Sequence, residues 1–267
     1  MLYSAYVIQQ SLIYNIGTKI RVELEANGPK LSRNEQLLML VCIMFLTGFL
    51  LVTFFRSSFH TVDVAVNVWI PSIQSSSFTV IAKGIAVVFD TTSLLLVSLV
   101  LAAYLFIKKY RAESLLLLGA MGGDALIVSV VKGLVQSPRP LNGLVVYSGF
   151  SFPSGHAAGS IVFCGFLAFF AWQHWKSTRA RALVGMGVFA VSSVVGFSRV
   201  YLNVHWFSDV LGAGMLGVFW LSFAVLVFQL LQDMGKFQSG RFRSIAMFLF
   251  VVAIVVAVFV VVESLLG

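Results

Sequence analysis

Seven stretches of this chain, at 36–55, 85–107, 114–135, 157–175, 182–200, 207–231 and 245–265, are almost wholly apolar, and each is long enough to cross a bilayer as a helix. Hydrocarbon offers the backbone no water, so such runs fold as helices that satisfy their own N–H and C=O groups. The expected fold is all-α, a polytopic transmembrane helical bundle of about seven spans. A chain that is 59% hydrophobic and only 10% charged leaves no room for a separate soluble domain. Its mean hydropathy is +0.97.

The formal net charge of +8 would suggest nucleic acid in a soluble chain. Here the placement of the charges matters more than their sum. The N-terminal segment holds Lys19, Arg21, Lys30 and Arg33, and the connections at 108–113, 174–181 and 232–243 are basic too. Together they carry thirteen of the 18 Lys and Arg, and alternation through the spans puts all four on one side. By the positive-inside rule that side is the cytoplasm, the N-terminus lies inside and the C-terminus outside. The charge is a topology signal in a plasma-membrane protein, and no nucleic-acid partner is expected.

Cys42 and Cys164 lie inside apolar runs and read as packing residues, with neither a disulfide framework nor a zinc site in view. Residues 1–35 lack the order of a cleavable signal. They form a cytoplasmic or interfacial segment, with Leu2, Tyr6, Leu12, Ile13 and Ile16 among polar neighbours. The outer loop at 56–84 has apolar residues at helix-like spacing, broken by Pro71. It reads either as a helix resting on the headgroups or as an ordinary amphipathic connector.

Five basic residues, Arg56, Lys83, Lys132, Arg139 and Arg199, fall on the outer side, and three of them cluster at span ends with two histidines. Ionisable groups near a membrane core are expensive and mark function. In the first cluster, KGLVQSPRP, prolines on both sides of Arg139 hold it on a stiff extended segment, where its fork suits phosphate and Lys132 adds charge. A pair that snorkels to headgroups is the competing reading.

In the second cluster, SFPSGHAAGS, Ser154 supplies a hydroxyl and a cap and Gly155 allows close backbone approach. His156 can there protonate a leaving oxygen. A plain Ser-Gly cap with small-residue packing competes. In the third, SRVYLNVHWFSD, Arg199 precedes His205 and Asp209. These last two are four apart, so on a helix the carboxylate holds the imidazole N–H and leaves the other nitrogen as a nucleophile. A helix-surface pair is the bland alternative. All three clusters emerge on one side under a topology derived without them.

These clusters resemble the three-part signature of the type 2 phosphatidic acid phosphatase superfamily, KxxxxxxRP, PSGH and SRxxxxxHxxxD. They read here as Lys132 to Arg139-Pro140, Pro153 to His156, and Ser198-Arg199 through His205 to Asp209. The resemblance covers roughly residues 60–230. It implies attack by His205 on phosphorus to give a phosphohistidine, with Asp209 stabilising the imidazolium and His156 protonating the leaving group. Lys132, Arg139, Ser154, Gly155 and Arg199 would bind the phosphoryl oxygens, with no metal and no cofactor.

The implied partner is a lipid phosphate within the membrane, reached from the outer face. Phosphatidic acid, phosphatidylglycerophosphate and an isoprenyl diphosphate all fit, and a soluble phosphate ester is a minor alternative. Membrane relatives of this type usually have six spans, so the expected division is a core at 36–231 with an extra helix at 245–265, for packing or oligomerisation. Asp124, inside the third span, pairs with another polar group in the bundle or touches substrate. A vanadium haloperoxidase is disfavoured by the spans, and a non-catalytic lipid carrier by the complete set of two histidines and an aspartate.

Overall fold

The computed structural model describes residues 31–175 and 177–235. The interfacial segment expected at 1–30 and the seventh span expected at 245–265 lie outside the described residues. The chain divides into two units, Met1–Gln36 and Leu37–Gly267. In the first, Ser32 and Glu35 form a capping box: Ser32 N donates to Glu35 Oε2 at 2.6 Å and Glu35 N to Ser32 Oγ at 3.3 Å. That cap opens helix α1, Arg33–Phe54.

A 3₁₀ turn at Arg56–Phe59 leads into α2, His60–Trp69, and Pro71 sits in a second 3₁₀ turn at Ile70–Ile73. The loop at 56–84 is therefore helical where its apolar spacing indicated. Helix α3 runs Ser76–Val88 and α4 Thr91–Ile107. The single span expected at 85–107 is instead two helices bent by 47°. The break falls at Asp90, whose Oδ2 accepts from Thr92 N at 2.9 Å, so the carboxylate caps a new helix where the backbone would otherwise continue.

The remaining long helices are α5, Arg111–Val135; α6, Gly155–His174; α7, Thr178–Tyr201; and α8, Phe207–Asp233. Among the described residues five helices can each cross a membrane, six spans if α3 and α4 count as one. Outer faces carry Leu40, Met44, Phe54, Leu126 and Phe189, all well exposed, as a lipid-facing surface requires.

Helix α6 is the hub. Of its apolar stretch 61% is buried, against 11% for α7, and it packs on α7, α8, α5 and α4. Small residues let α8 come close: a side chain at Gly217 would put its Cβ 3.1 Å from the carbonyl oxygen of Ala158. One core joins α4, α5, α6 and α8 through Leu101, Leu117, Phe166 and Phe228. A second joins α1, α5, α6 and α8 through Phe49, Val128, Phe152, Ala158 and Leu216. This second core is the floor beneath the polar end of the bundle.

Candidate active site

Helix α5 ends because Gln136 turns left-handed, with φ 50° and ψ 37°. The chain then runs without regular structure through 137–140 and returns to α6. Three backbone bonds fasten this connection to the neighbouring helix ends: Ser151 N to Ser137 O at 2.8 Å, Leu144 N to Leu202 O at 2.9 Å, and Ser154 N to Asp209 O at 3.2 Å. All eight residues singled out in the sequence thereby meet at one end of the bundle.

His205 and Asp209 pair through a helix start, and do not share a helix face as the spacing suggested. Helix α8 begins at Phe207, so Asp209 lies in its first turn and reaches back. Its Oδ2 accepts from Trp206 N at 2.9 Å and from His205 Nδ1 at 3.3 Å. With that proton on Nδ1, Nε2 carries a lone pair, and Arg139 Nη1 stands 3.3 Å from it as donor. Burial pushes the His205 pKa down to about 4; the neighbouring Asp209 opposes the shift, and Arg139 and Lys132 add to it. The ring is neutral near pH 7.

The three cations differ in what they hold. Lys132 Nζ donates to the carbonyls of Phe150 at 2.7 Å and Ser151 at 3.2 Å. Arg139 donates to the carbonyls of Gly149, Val204 and Phe150 at 3.1, 2.8 and 3.3 Å. Its fork, expected to be free for phosphate, ties three segments together. Arg199 is different: its residue is 0% exposed, and among the described residues none of its three guanidinium nitrogens has a hydrogen-bond partner. The ring of Tyr147 lies 4.7 Å from its guanidinium carbon, 5.4 Å from that of Arg139, and 6.0 Å from the His156 ring.

Ser154 precedes α6 but its hydroxyl does not cap the helix; Oγ is buried without a partner. The expected side-chain cap is absent although the Ser154 backbone has the extended conformation of a capping residue, and its N–H is bound to Asp209 O. Gly155 serves close approach, since a Cβ there would lie 3.0 Å from Thr91 Oγ1. His156 is buried beside it. Its Nε2 lies 3.5 Å from Asp90 Oδ1, within ion-pair range but without hydrogen-bond geometry. Arg199, His205 and Arg139 are all within electrostatic reach of this ring.

A buried guanidinium and hydroxyl without hydrogen-bond partners among the described residues, beside one imidazole whose Nε2 meets only an arginine N–H and a second near a carboxylate, are groups that can hold a tetrahedral oxyanion. Among the described residues no three His, Cys, Asp or Glu side chains converge as metal ligands would.

Four residues of this end were not singled out in the sequence. Arg56 donates to Asp209 Oδ1 at 3.2 Å. Asp63 accepts from Ser208 N and Oγ at 2.8 and 2.7 Å. Asp90 and Tyr147 stand as described. Arg56 had a signal, as a leftover cation on the side of the clusters, and Asp90 had one as an acid in an apolar run; Tyr147 had none. Asp124 takes no polar partner among the described residues. It is buried on α5 facing α6, where its Oδ2 would lie 3.6 Å from a Cβ at Gly159 and its Oδ1 is unpartnered.

Fold and site together define a membrane-embedded phosphohydrolase, and comparison with known proteins agrees. The profile of the PAP2 superfamily matches residues 113–233. Phosphatidylglycerophosphatase B of Bacillus subtilis is 34% identical over 142 residues, 52% of this chain and 69% of that protein. Human dolichyldiphosphatase 1 is 28% identical over 42% of this chain and 52% of its own length. A crystal structure of a transmembrane PAP2-type phosphatidylglycerolphosphate phosphatase from Bacillus subtilis superposes with a TM-score of 0.63 at 26% identity, covering 74% of this chain and 98% of that one. The chain belongs to the PAP2 superfamily. It is an integral membrane phosphatase.

Proposed function

We propose that the protein removes the terminal phosphate of a membrane lipid, a phosphomonoester or a diphosphate, at the outer face of the plasma membrane and without a metal. His205 Nε2 attacks phosphorus in line, and the bond from phosphorus to the lipid-side oxygen breaks as that oxygen takes a proton from His156. Asp209 stabilises the positive charge that develops on the His205 ring. Water then attacks the phosphohistidine and gives its proton to His156; the N–P bond breaks and returns its electron pair to Nε2. Arg199, Ser154 Oγ and the Gly155 N–H hold the phosphoryl oxygens, and Lys132 and Arg139 add positive charge from their carbonyl cradles.

The observation that carries this reading is Arg199, a buried cation with no hydrogen bond from any guanidinium nitrogen. Such a group is costly until an oxyanion meets it, and the nucleophile stands within the same cluster. The names of the relatives support a lipid substrate, one a phosphatidylglycerophosphatase and one a dolichyldiphosphatase. Phosphatidic acid, phosphatidylglycerophosphate and an isoprenyl diphosphate are the candidates. Residues 36–231 form the phosphatase core in this reading.

Purified protein should release phosphate from one of these lipids with EDTA present, vanadate should inhibit it, and His205→Ala should abolish it. Activity retained by His205→Ala would falsify the mechanism. The side of the membrane has its own test. Leu141 is fully exposed in the connection over the site, so Leu141→Cys in intact cells should react with an impermeant thiol reagent. Labelling only after lysis would reverse the topology.

A further inference from the structure

The segment after α1 grips the start of α8 with two charged side chains on adjacent residues. Arg56 Nη2 meets Asp209 Oδ1 at 3.2 Å, and Asp63 takes both Ser208 N and Ser208 Oγ. Asp209 is wholly buried, and its other oxygen is shared by Trp206 N and His205 Nδ1. The Arg56 guanidinium carbon also lies over Phe152, 4.3 Å from its ring centroid, and Phe152 stacks on Phe49 of α1. The guanidinium is thus wedged between the aromatic floor before α6 and the carboxylate of α8.

A carboxylate has two oxygens and can rotate. With Oδ1 held by a cation, Oδ2 can face only the backbone N–H and the imidazole. We infer that Arg56 is a positioning residue of the reaction: by fixing Asp209 it fixes the tautomer and the aim of His205. The inference rests on the phosphohistidine reading above. Arg56 touches no reacting atom in it. Without the guanidinium, Oδ1 is a buried anionic oxygen without a partner, the carboxylate turns to satisfy it, and the imidazole loses its fixed direction.

The test uses the full chain in mixed micelles with phosphatidic acid as substrate, comparing wild type, Arg56→Lys, Arg56→Gln, Asp209→Asn, His205→Ala and the double variant Arg56→Gln/Asp209→Asn. Arg56→Gln should lower kcat by on the order of 10- to 100-fold, with KM within about twofold, since the aim of the nucleophile is lost while the anion site stays. Arg56→Lys should recover part of kcat. The double variant should be no slower than Asp209→Asn alone, because Arg56 acts through Asp209. A purely structural role would instead slow the double variant further, by the factor seen in the wild-type background.

Arg56→Gln at wild-type kcat, or independent effects in the double variant, overturns the inference. If Arg56→Gln does not fold, Arg56→Lys carries the same test, through its kcat and its coupling to Asp209→Asn. An active His205→Ala rejects the phosphohistidine reading itself; an inactive His205→Ala beside an unimpaired Arg56→Gln rejects the role of Arg56 alone.

Discussion

The two imidazoles at the end of this bundle are held in opposite ways. His205 is tied at Nδ1 to Asp209, and Asp209 is tied in turn to Trp206 N and Arg56, on a helix start that Asp63 also grips. His156 has no such carboxylate clamp: the backbone of Ala86 bonds its ring, and Asp90, on a side chain 38% exposed to solvent, stands 3.5 Å from Nε2 without hydrogen-bond geometry. A nucleophile needs one tautomer and one direction, so rigid support favours it. A group that gives a proton in one half-reaction and takes one in the next must be stable in both states, and tight bonds to either would favour one over the other. The contrast suits a reaction in two steps.

Asp209→Asn attacks the firm side directly. An amide cannot hold the Nδ1 proton as a carboxylate does, and kcat should fall by about 10⁴, the size of the corresponding change in a serine protease triad. A loss below tenfold in steady-state assays would mean that His205 does not depend on its partner. Asp63→Ala weakens the same side from a distance. It leaves Ser208 N and Oγ buried without an acceptor, and should cost roughly 2–4 kcal/mol of stability, read as a lower Tm with KM unchanged.

Asp90→Asn probes the loose side. On lipid substrates kcat should fall about threefold to tenfold, because the protonated form of His156 loses a neighbouring charge. An aryl phosphate, whose leaving group departs without a proton, should be indifferent; equal losses on both would remove Asp90 from the proton step.

The smallest effect at neutral pH concerns His205 itself. In the proposed mechanism it attacks only as the neutral ring, so with a pKa of about 4 the rate of phosphoenzyme formation in a rapid-quench experiment should hold down to about pH 4 and be halved there. A half-point at 6.5 would show a ring far wetter than described. Linkage fixes the sign for stability as well. The unfolded chain takes this proton below 6.5 and the folded one near 4, so the contribution of His205 is whole above 6.5 and is lost as pH falls toward 4.

Much of this was legible from sequence. Spans were readable because apolar length is a local property, and the clusters because ionisable residues are rare in such a chain. The bend between α3 and α4 was missed, since hydropathy averaged over a window passes across Asp90 without registering that its carboxylate caps a helix. The spacing of His205 and Asp209 gave the right pair for the wrong reason, because four residues apart fits a helix face and a reach across its first turn equally well. Arg56 and Asp63 stayed hidden because their partners lie about 150 positions away, with 153 residues separating Arg56 from Asp209. No local pattern records such a contact.

The unpartnered guanidinium of Arg199 bears on the end of the cycle as much as on its beginning. Inorganic phosphate presents the same oxygens as the ester from which it came, so the cation that draws the headgroup in also resists letting the freed ion go. Under the proposed mechanism, accumulated phosphate should therefore act at once as a brake on the enzyme and as a brace for its fold.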